Sequence, residues 1–243
     1  MKTNYMSNDQ IEKTIFGMYL RFRELSGAQN KIDMFVDIDN FVTNFLHCTV
    51  VYESIAERNN CLGFVSDGVT RVWIRRNGKK KQVLYPMDTI VLDKYLLSSA
   101  NESKRRFTLG HEAGHVILNR IYCNRAAYYS HSFDNIIEYN KAMMMQEFNI
   151  MEMQADRVSA CLLMPKPILL KYLEVYFDSD KVIRYEDGSF NQYDRSMLLK
   201  IAGDMKVSIT ALMIRLRELN LIEVRPHPSD NYYDKEEFPS ESV

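Results

Sequence analysis

The sequence lacks any segment that would place the chain in or across a membrane. Its first residues, MKTNYMSNDQIEK, contain no apolar signal-peptide core, and no apolar run approaches the roughly 20 residues of a transmembrane helix. It also lacks an excess of charge of either sign, because 31 basic and 32 acidic residues leave a net charge of −1. Composition therefore indicates no general attraction to nucleic acid. We expect a cytoplasmic protein with no membrane partner.

Cysteine is scarce and shows no pattern. The four cysteines are Cys48, Cys61, Cys123 and Cys161. None forms the CxxC pair that is typical of zinc or redox sites, so in a reducing compartment we expect buried free thiols. Internal repeats and low-complexity tracts are absent too. With 46% hydrophobic and 26% charged residues, the chain has the composition of a globular protein with a sizeable core.

Helical spacing of apolar residues predicts helices at both ends of the chain and two in its middle. The predicted helices cover residues 7–25, 37–47, 104–120 and 149–165, and two more lie within 194–224. Ser7 or Asn8 can cap the first helix, and Ser208 can cap the last. Pro165 ends the fourth, because the residue before a proline avoids helical geometry.

Strands are predicted between the second and third helices. Residues 48–55 and 88–96 have strand character, and residues 69–85 predict a hairpin because Asn77-Gly78 is a preferred two-residue turn. The strand at 88–96 is our candidate for an exposed sheet edge, to which a substrate strand could add. Six cations lie within 71–81, on a hairpin that is either a solvated turn or a contact for an acidic partner.

Together these elements predict an α+β fold, with a small antiparallel sheet beside the two central helices. The predicted division is an N-terminal helical segment over 1–47, a central core over 48–170 and a C-terminal helical subdomain over 171–225. The tail over 226–243 carries prolines and charge with little apolar surface, so we predict that it is mobile.

His111 and His115 stand four residues apart in RRFTLGHEAGH, on a predicted helix. Residues at i and i+4 share one helix face, so the two imidazoles can meet at one zinc ion. Glu112 projects beside them, where a carboxylate can take a proton from water whose pKa the metal has lowered. This is the HExxH signature. Gly114 costs about 1 kcal/mol in a helix relative to alanine, so we expect another element to approach closely there.

The alternative is a core helix whose histidines are satisfied by ordinary hydrogen bonds. It is less favourable, because two imidazoles and a carboxylate on a buried face are costly without a partner.

A catalytic zinc ion usually has three protein ligands, so a third must lie elsewhere. The downstream candidates are His131, Glu138, Glu147, Glu152 and Asp156. Glu152 is the best placed, because Asp156 follows it by one helical turn on the same face. One of these carboxylates can bind the metal while the other accepts a hydrogen bond from a ligand histidine. Two imidazoles and a carboxylate suit Zn²⁺ or Mn²⁺.

RRFTLGHEAGH followed by EMQADRVSACLLMP resembles the ImmA/IrrE family of metallo-endopeptidases. The second motif is the more specific one, because HExxH occurs in many folds. The resemblance covers residues 85–167 well and extends to the C-terminal segment VSITALMIRLRELNLIE. Gly110 and Ala113 depart from the pattern, since the family commonly has Ala and Leu at these positions.

The resemblance implies a zincin-like metallopeptidase core. The family's metal ligands map to His111, His115 and Glu152. Its general base maps to Glu112, and Asp156 would stand behind the ligands. Family members are cytosolic proteins of bacteria or phages that cleave helix-turn-helix repressors or antitoxins and thereby relieve repression. The implied partner is such a repressor or antitoxin.

Three other functions are compatible with the sequence. Residues 194–224 resemble a helix-turn-helix, but their positive excess is smaller than that of a DNA-reading face, so we expect no nucleic-acid partner. The chain could also be a metal-bound scaffold without peptidase activity, or a zinc hydrolase acting on another substrate. If it is a peptidase, a second electrophile should hold the oxyanion. The candidates are Tyr122, Tyr128, Tyr129 and His131.

Overall fold

The computed structural model describes residues 5–27, 35–55, 61–122, 129–132 and 147–227. Its helices are α1 (Asn8–Leu25), α2 (Ile38–Asn40), α3 (Glu102–Tyr122), α4 (Glu147–Leu163), α5 (Lys166–Phe177), α6 (Gln192–Asp204) and α7 (Ile209–Glu218). Its strands are β1 (Thr49–Ile55), β2 (Cys61–Val65), β3 (Val72–Arg76), β4 (Lys79–Val83), β5 (Thr89–Asp93), β6 (Tyr129–Ser132), β7 (Val182–Tyr185) and β8 (Ile222–Arg225). A π-helical turn over Phe41–Phe45 extends α2.

The predicted helix caps are confirmed. Ser7 Oγ accepts a hydrogen bond from the backbone of Gln10, whose side chain accepts one from Ser7 in return, and this reciprocal capping box starts α1. Ser208 Oγ accepts a hydrogen bond from the Ala211 backbone at 3.1 Å and starts α7. Helix α4 ends at Leu163, two residues before Pro165.

The α+β class predicted from the sequence is confirmed, and the main sheet has the order β4-β3-β1-β5-β2-β6. One detail differs, since the sheet is mixed: β1 and β5 are parallel, while the other neighbours are antiparallel. The physical reason is the connection. Parallel strands need a long crossover, and β2 together with the β3–β4 hairpin supplies it between β1 and β5. In the hairpin, Asn77 and Gly78 adopt φ angles of 51° and 73°, as a type I′ turn requires.

The prediction that 88–96 forms an exposed sheet edge is wrong. Strand β5 pairs with β1 on one side and with β2 on the other. Thr89, Ile90, Val91 and Leu92 are all buried. A run that is apolar at successive positions is typical of a central strand, since both of its faces are covered. In the described sheet the edges are β4 and β6.

Several elements were not predicted. Strand β2, helix α5 and the small parallel pair β7–β8 have short or weakly periodic sequences. A single cluster of buried side chains extends from Ile11 in α1 through α3 and α4 to Leu221 after α7. This cluster crosses the segment boundaries at 47 and 170, and the division itself stays a prediction. Most of the tail predicted over 226–243 lies outside the described residues.

Helix α7 is joined to the rest of the chain by a buried cation. Arg215 is fully buried, forms an ion pair with Glu12 of α1 and donates to the Met164 carbonyl at 3.2 Å. A second ion pair, between Arg157 and Glu218 at 3.1 Å, links α4 to α7. Helix α7 is therefore held against α1 and against α4.

The structure also bears on two predictions from composition, which concern the cysteines and membrane-spanning helices. Cys48, Cys61 and Cys161 are buried, as expected, and Cys48 and Cys161 are free thiols, while Cys123 lies outside the described residues. In the part of the chain that the structure describes, no helix combines the length and apolarity needed to cross a membrane.

Candidate metal centre

Two consecutive arginines position the first half of α3. Arg105 donates two hydrogen bonds, of 2.6 and 2.9 Å, to the Asp39 carboxylate. Arg106 is buried and donates to the Val36 carbonyl at 2.8 Å and to the Lys206 carbonyl at 3.2 Å. The helix is thereby attached to the segment before α2 and to the turn between α6 and α7. The arginine-rich lead into the HEAGH motif is therefore a structural anchor.

Two glycines allow α4 to cross α3 at close range. A β-carbon on Gly114 would lie 2.9 Å from the Ala155 carbonyl oxygen and 3.0 Å from its Cα. A β-carbon on Gly110 would lie 2.5 Å from Ser159 Oγ. The close approach predicted at Gly114 is confirmed, and Gly110 is explained by the serine opposite. This crossing brings α4 to the face that carries the histidines.

His111, His115 and Glu152 meet at one point, and each is buried. The two Nε2 atoms are 3.0 Å apart, and oxygens of Glu152 lie 3.2 Å from His111 Nε2 and 3.3 Å from His115 Nε2. Donor atoms about 2.0–2.1 Å from a tetrahedral metal ion are separated by about 3.3 Å. The three side chains are therefore spaced as ligands of a small metal ion, and they fit such an ion.

Asp156 lies behind His111. Its carboxylate is 2.7 Å from His111 Nδ1. With the proton held on Nδ1 by this contact, Nε2 keeps its lone pair and faces His115 and Glu152. The one-turn spacing of Glu152 and Asp156 on α4 gives the two carboxylates these separate positions.

The Glu112 carboxylate lies next to strand β2 of the sheet. A β-carbon on Gly63 of β2 would lie 3.0 Å from Glu112 Oε1. The Glu112 side chain is fully buried, and neither carboxylate oxygen has a hydrogen-bond partner within the described part of the chain. A buried carboxylate without a partner is costly, so its position calls for a functional reason.

Comparison with protein families identifies the chain. Residues 76–217 match a peptidase family, M78, described as an IrrE N-terminal-like domain. The match spans more than half of the 243 residues. The chain belongs to this family. The ImmA/IrrE resemblance and the zincin-like fold are thus confirmed, and the protein is a metallopeptidase of that family. No curated protein matches it.

Two pKa values in this M78 peptidase reflect the shared buried site. Burial raises the pKa of Glu112 to about 8; the nearby His111 opposes the rise, and the carboxylates of Glu152 and Asp156 add to it. Burial would lower the pKa of His111, but hydrogen bonds to Asp156 and Glu152 overcome it and raise that pKa to about 10. Both pKa values are raised, as expected where several acidic groups share a buried site, and a bound cation would oppose both rises.

The remaining candidates for the third metal ligand and for the oxyanion-stabilising group were tested only in part. Glu138 and Tyr128 lie outside the described residues, and for Tyr129, His131 and Glu147 only the backbone is described. The Tyr122 hydroxyl donates to Gln154 Oε1 at 2.7 Å, so it is held by α4. Sequence reasoning missed Gly63 and Asn119. Asn119 follows His115 by one helical turn, and that spacing is the signal that could have found it.

Proposed function

We propose that the protein is a zinc-dependent endopeptidase in which His111, His115 and Glu152 hold the metal. The observation that carries this proposal is the spacing of their donor atoms, which all lie within 4.8 Å of one another beside a buried carboxylate. Membership of a peptidase family supports the reaction class. Zn²⁺ fits the tetrahedral spacing, and Mn²⁺ accepts the same ligand types.

In the proposed reaction the metal ligands, Glu112 and Asp156 have different roles. When bound, the metal supplies a Lewis acid that polarises the scissile carbonyl and acidifies a water molecule. Glu112 takes the proton from that water and returns it to the leaving amine. Burial raises the pKa of Glu112 to about 8, and a positive charge held by the three ligands would favour its ionised form. Asp156 keeps His111 in the tautomer that presents Nε2 to the metal.

The proposed substrate is a helix-turn-helix repressor or an antitoxin, and the proposed compartment is the cytoplasm. Support comes from the family, since repressor cleavage is what the ImmA/IrrE resemblance implies. The binding mode we propose is addition of an extended substrate segment to β6. That strand is an edge of the described sheet, and its neighbour β2 packs against Glu112.

A DNA-binding function is less well supported. Helix α7 would be the recognition helix of a helix-turn-helix, yet its Arg215 is fully buried in an ion pair with Glu12. Arg217 is then the exposed cation of that helix. One exposed positive charge is fewer than a DNA-binding surface usually carries. We therefore propose a protein substrate and no nucleic-acid partner.

Metal content is the first test. Purified protein, analysed by mass spectrometry, should carry about one equivalent of zinc, and His115→Ala and Glu152→Ala should each lose it. Retention in Glu152→Ala would move the third ligand elsewhere. A wild-type protein that takes up no metal even after reconstitution would contradict the proposal.

Cleavage is the second test. The zinc-loaded protein is incubated with a bacterial lysate, and new protein N-termini are identified by mass spectrometry. Glu112→Gln is the matched control, because it should keep the metal and lose cleavage. We expect new termini in a helix-turn-helix repressor or antitoxin with the wild type alone. Identical termini with both proteins would exclude Glu112 as the base.

A further inference from the structure

Asn119 is a buried amide that makes no side-chain hydrogen bond to any residue the structure describes. Its side chain is 5% exposed, and neither Nδ2 nor Oδ1 has a hydrogen-bond partner in the described chain. An unsatisfied donor or acceptor in the interior carries its full desolvation cost, and Asn119 has one of each. Unsatisfied polar groups that lower the stability of the fold are found at functional sites, where they serve binding.

The position of Asn119 relates it to the metal centre. It lies four residues after His115 and seven after Glu112 on the continuous helix α3. Residues at i, i+4 and i+7 share one face of a helix, so Asn119 continues the row formed by the base and a metal ligand. Its side chain is 5% exposed, while those of Glu112 and His115 are fully buried, so all three belong to the buried face of α3.

The chemistry of the amide indicates what would satisfy it. Nδ2 is a donor and Oδ1 an acceptor, side by side in one plane. A peptide group of an extended chain presents a complementary carbonyl and N–H. We propose that Asn119 binds the backbone of the substrate next to the scissile bond, with Nδ2 donating to a substrate carbonyl and Oδ1 accepting from a substrate N–H. This inference rests on the proposed function.

Stability of the free protein tests whether the amide is unsatisfied. Asn119→Leu and Asn119→Ala remove both polar atoms, the first with an apolar group of similar shape and the second with a smaller one. At least one of them should keep or raise the melting temperature, because no hydrogen bond is lost. Asn191→Ala is the matched control. Asn191 Oδ1 accepts from the Asp194 backbone at 2.7 Å as a helix cap, so its loss should lower the melting temperature by several degrees.

Binding of two hydroxamates tests the role without a known substrate. Both probes anchor on the metal, but acetohydroxamate has no peptide groups, whereas an N-acetyl tripeptide hydroxamate has several. Titration calorimetry on the zinc-loaded protein should show that Asn119→Leu weakens the peptidyl probe about tenfold, as expected for one or two lost hydrogen bonds. Affinity for acetohydroxamate should not change, and Asn191→Ala should bind both probes as the wild type does.

The outcomes separate the two proposals. If both Asn119 variants melt several degrees below the wild type, the amide has a structural partner and the inference is overturned. It is also overturned if stability is kept but the peptidyl probe binds the Asn119 variants as tightly as the wild type. If the zinc-loaded wild type binds neither probe, the proposed metal site fails, and the inference that depends on it fails as well.

Discussion

Gly63 leaves room for the Glu112 carboxylate at the interface between the sheet and α3. A β-carbon at Gly63 would lie 3.0 Å from Glu112 Oε1, 3.0 Å from Leu92 Cδ2 and 3.1 Å from Thr108 Cγ2. Leu92 is fully buried in a central strand, and the hydroxyl of Thr108 is held by the Lys104 carbonyl at 2.9 Å. Among the residues that the structure describes, none donates a hydrogen bond to the Glu112 carboxylate. The carboxylate is therefore the group that a side chain at position 63 would displace.

Gly63→Ala should abolish or strongly reduce cleavage while zinc content stays near one equivalent. The physical reason is that the added methyl group moves the base and leaves the three metal ligands in place. Overpacking should also lower the free energy of unfolding by about 1–3 kcal/mol. Metal analysis, the lysate cleavage assay and urea unfolding measure the three effects.

A double-mutant cycle identifies the group that is displaced. In a Glu112→Ala background the cost of Gly63→Ala should fall clearly below its cost in the wild type, because the carboxylate is gone. An equal cost in both backgrounds would mean that Leu92 or Thr108 takes up the strain, and that Gly63 does not position the base.

The helix crossing predicts an order of stability among three glycine substitutions. Gly114→Ala should be the most destabilising, because its methyl group meets the backbone of Ala155, which cannot move alone. Gly110→Ala should cost less, since Ser159 Oγ is the end of a side chain. Gly17→Ala is the control. Gly17 is an exposed residue of α1 with open space around it, so alanine should stabilise by about 0.5–1 kcal/mol. Chemical denaturation of the metal-free proteins measures this order, and any other order would contradict the packing described for the crossing.

Asp156→Asn should weaken zinc binding by about 10–100-fold without abolishing it, because Asp156 orients His111 rather than contacting the ion. Competition with a chromogenic chelator measures the affinity. Asp180→Asn, an exposed substitution far from any ligand in sequence, serves as the control and should match the wild type. Complete loss of zinc in Asp156→Asn would make Asp156 a ligand itself.

The buried ion pair of Arg215 and Glu12 should be among the costliest to break. Glu12→Ala leaves the fully buried guanidinium of Arg215 without its carboxylate, which typically costs about 3–5 kcal/mol. The exposed pair of Arg225 and Glu223, 2.6 Å apart, provides the control. Glu223→Ala should change the free energy of unfolding by less than about 1 kcal/mol. Similar costs for the two variants, measured by urea unfolding, would contradict the packing described for α7.

Acid should weaken the same ion pair. Burial opposes ionisation of Glu12, but Arg215 more than offsets it, so the pKa of Glu12 lies below its usual 4.5. A lowered folded-state pKa contributes stability that is fully present above the unfolded value and is lost as pH falls through the folded one. Urea unfolding between pH 7 and pH 3 should therefore show a smaller decline for Glu12→Gln than for the wild type. Parallel declines would mean that other carboxylates dominate acid unfolding.

Local signals in the sequence were sufficient for the helices that carry the site. The four-residue spacing of His111 and His115 places both on one face of any helix, and Glu152 and Asp156 follow the same rule. The Asn77-Gly78 turn and the cap at Ser208 are also local, since each depends on backbone within a few residues. The α+β class followed from such elements taken together.

Long-range packing decided the rest. The central position of β5 depends on pairing with strands far away along the chain, and an apolar run does not state which neighbours will cover it. Gly63 leaves room for Glu112, about 50 residues away, and Arg215 is buried against Glu12, about 200 residues away. At such separations the sequence does not indicate which residues will be neighbours in the fold. The residues of the chemistry were therefore readable from local periodicity. The space beside β2 that accommodates Glu112, and the burial of the Asn119 amide, exist only because the tertiary fold brings sheet and helices together.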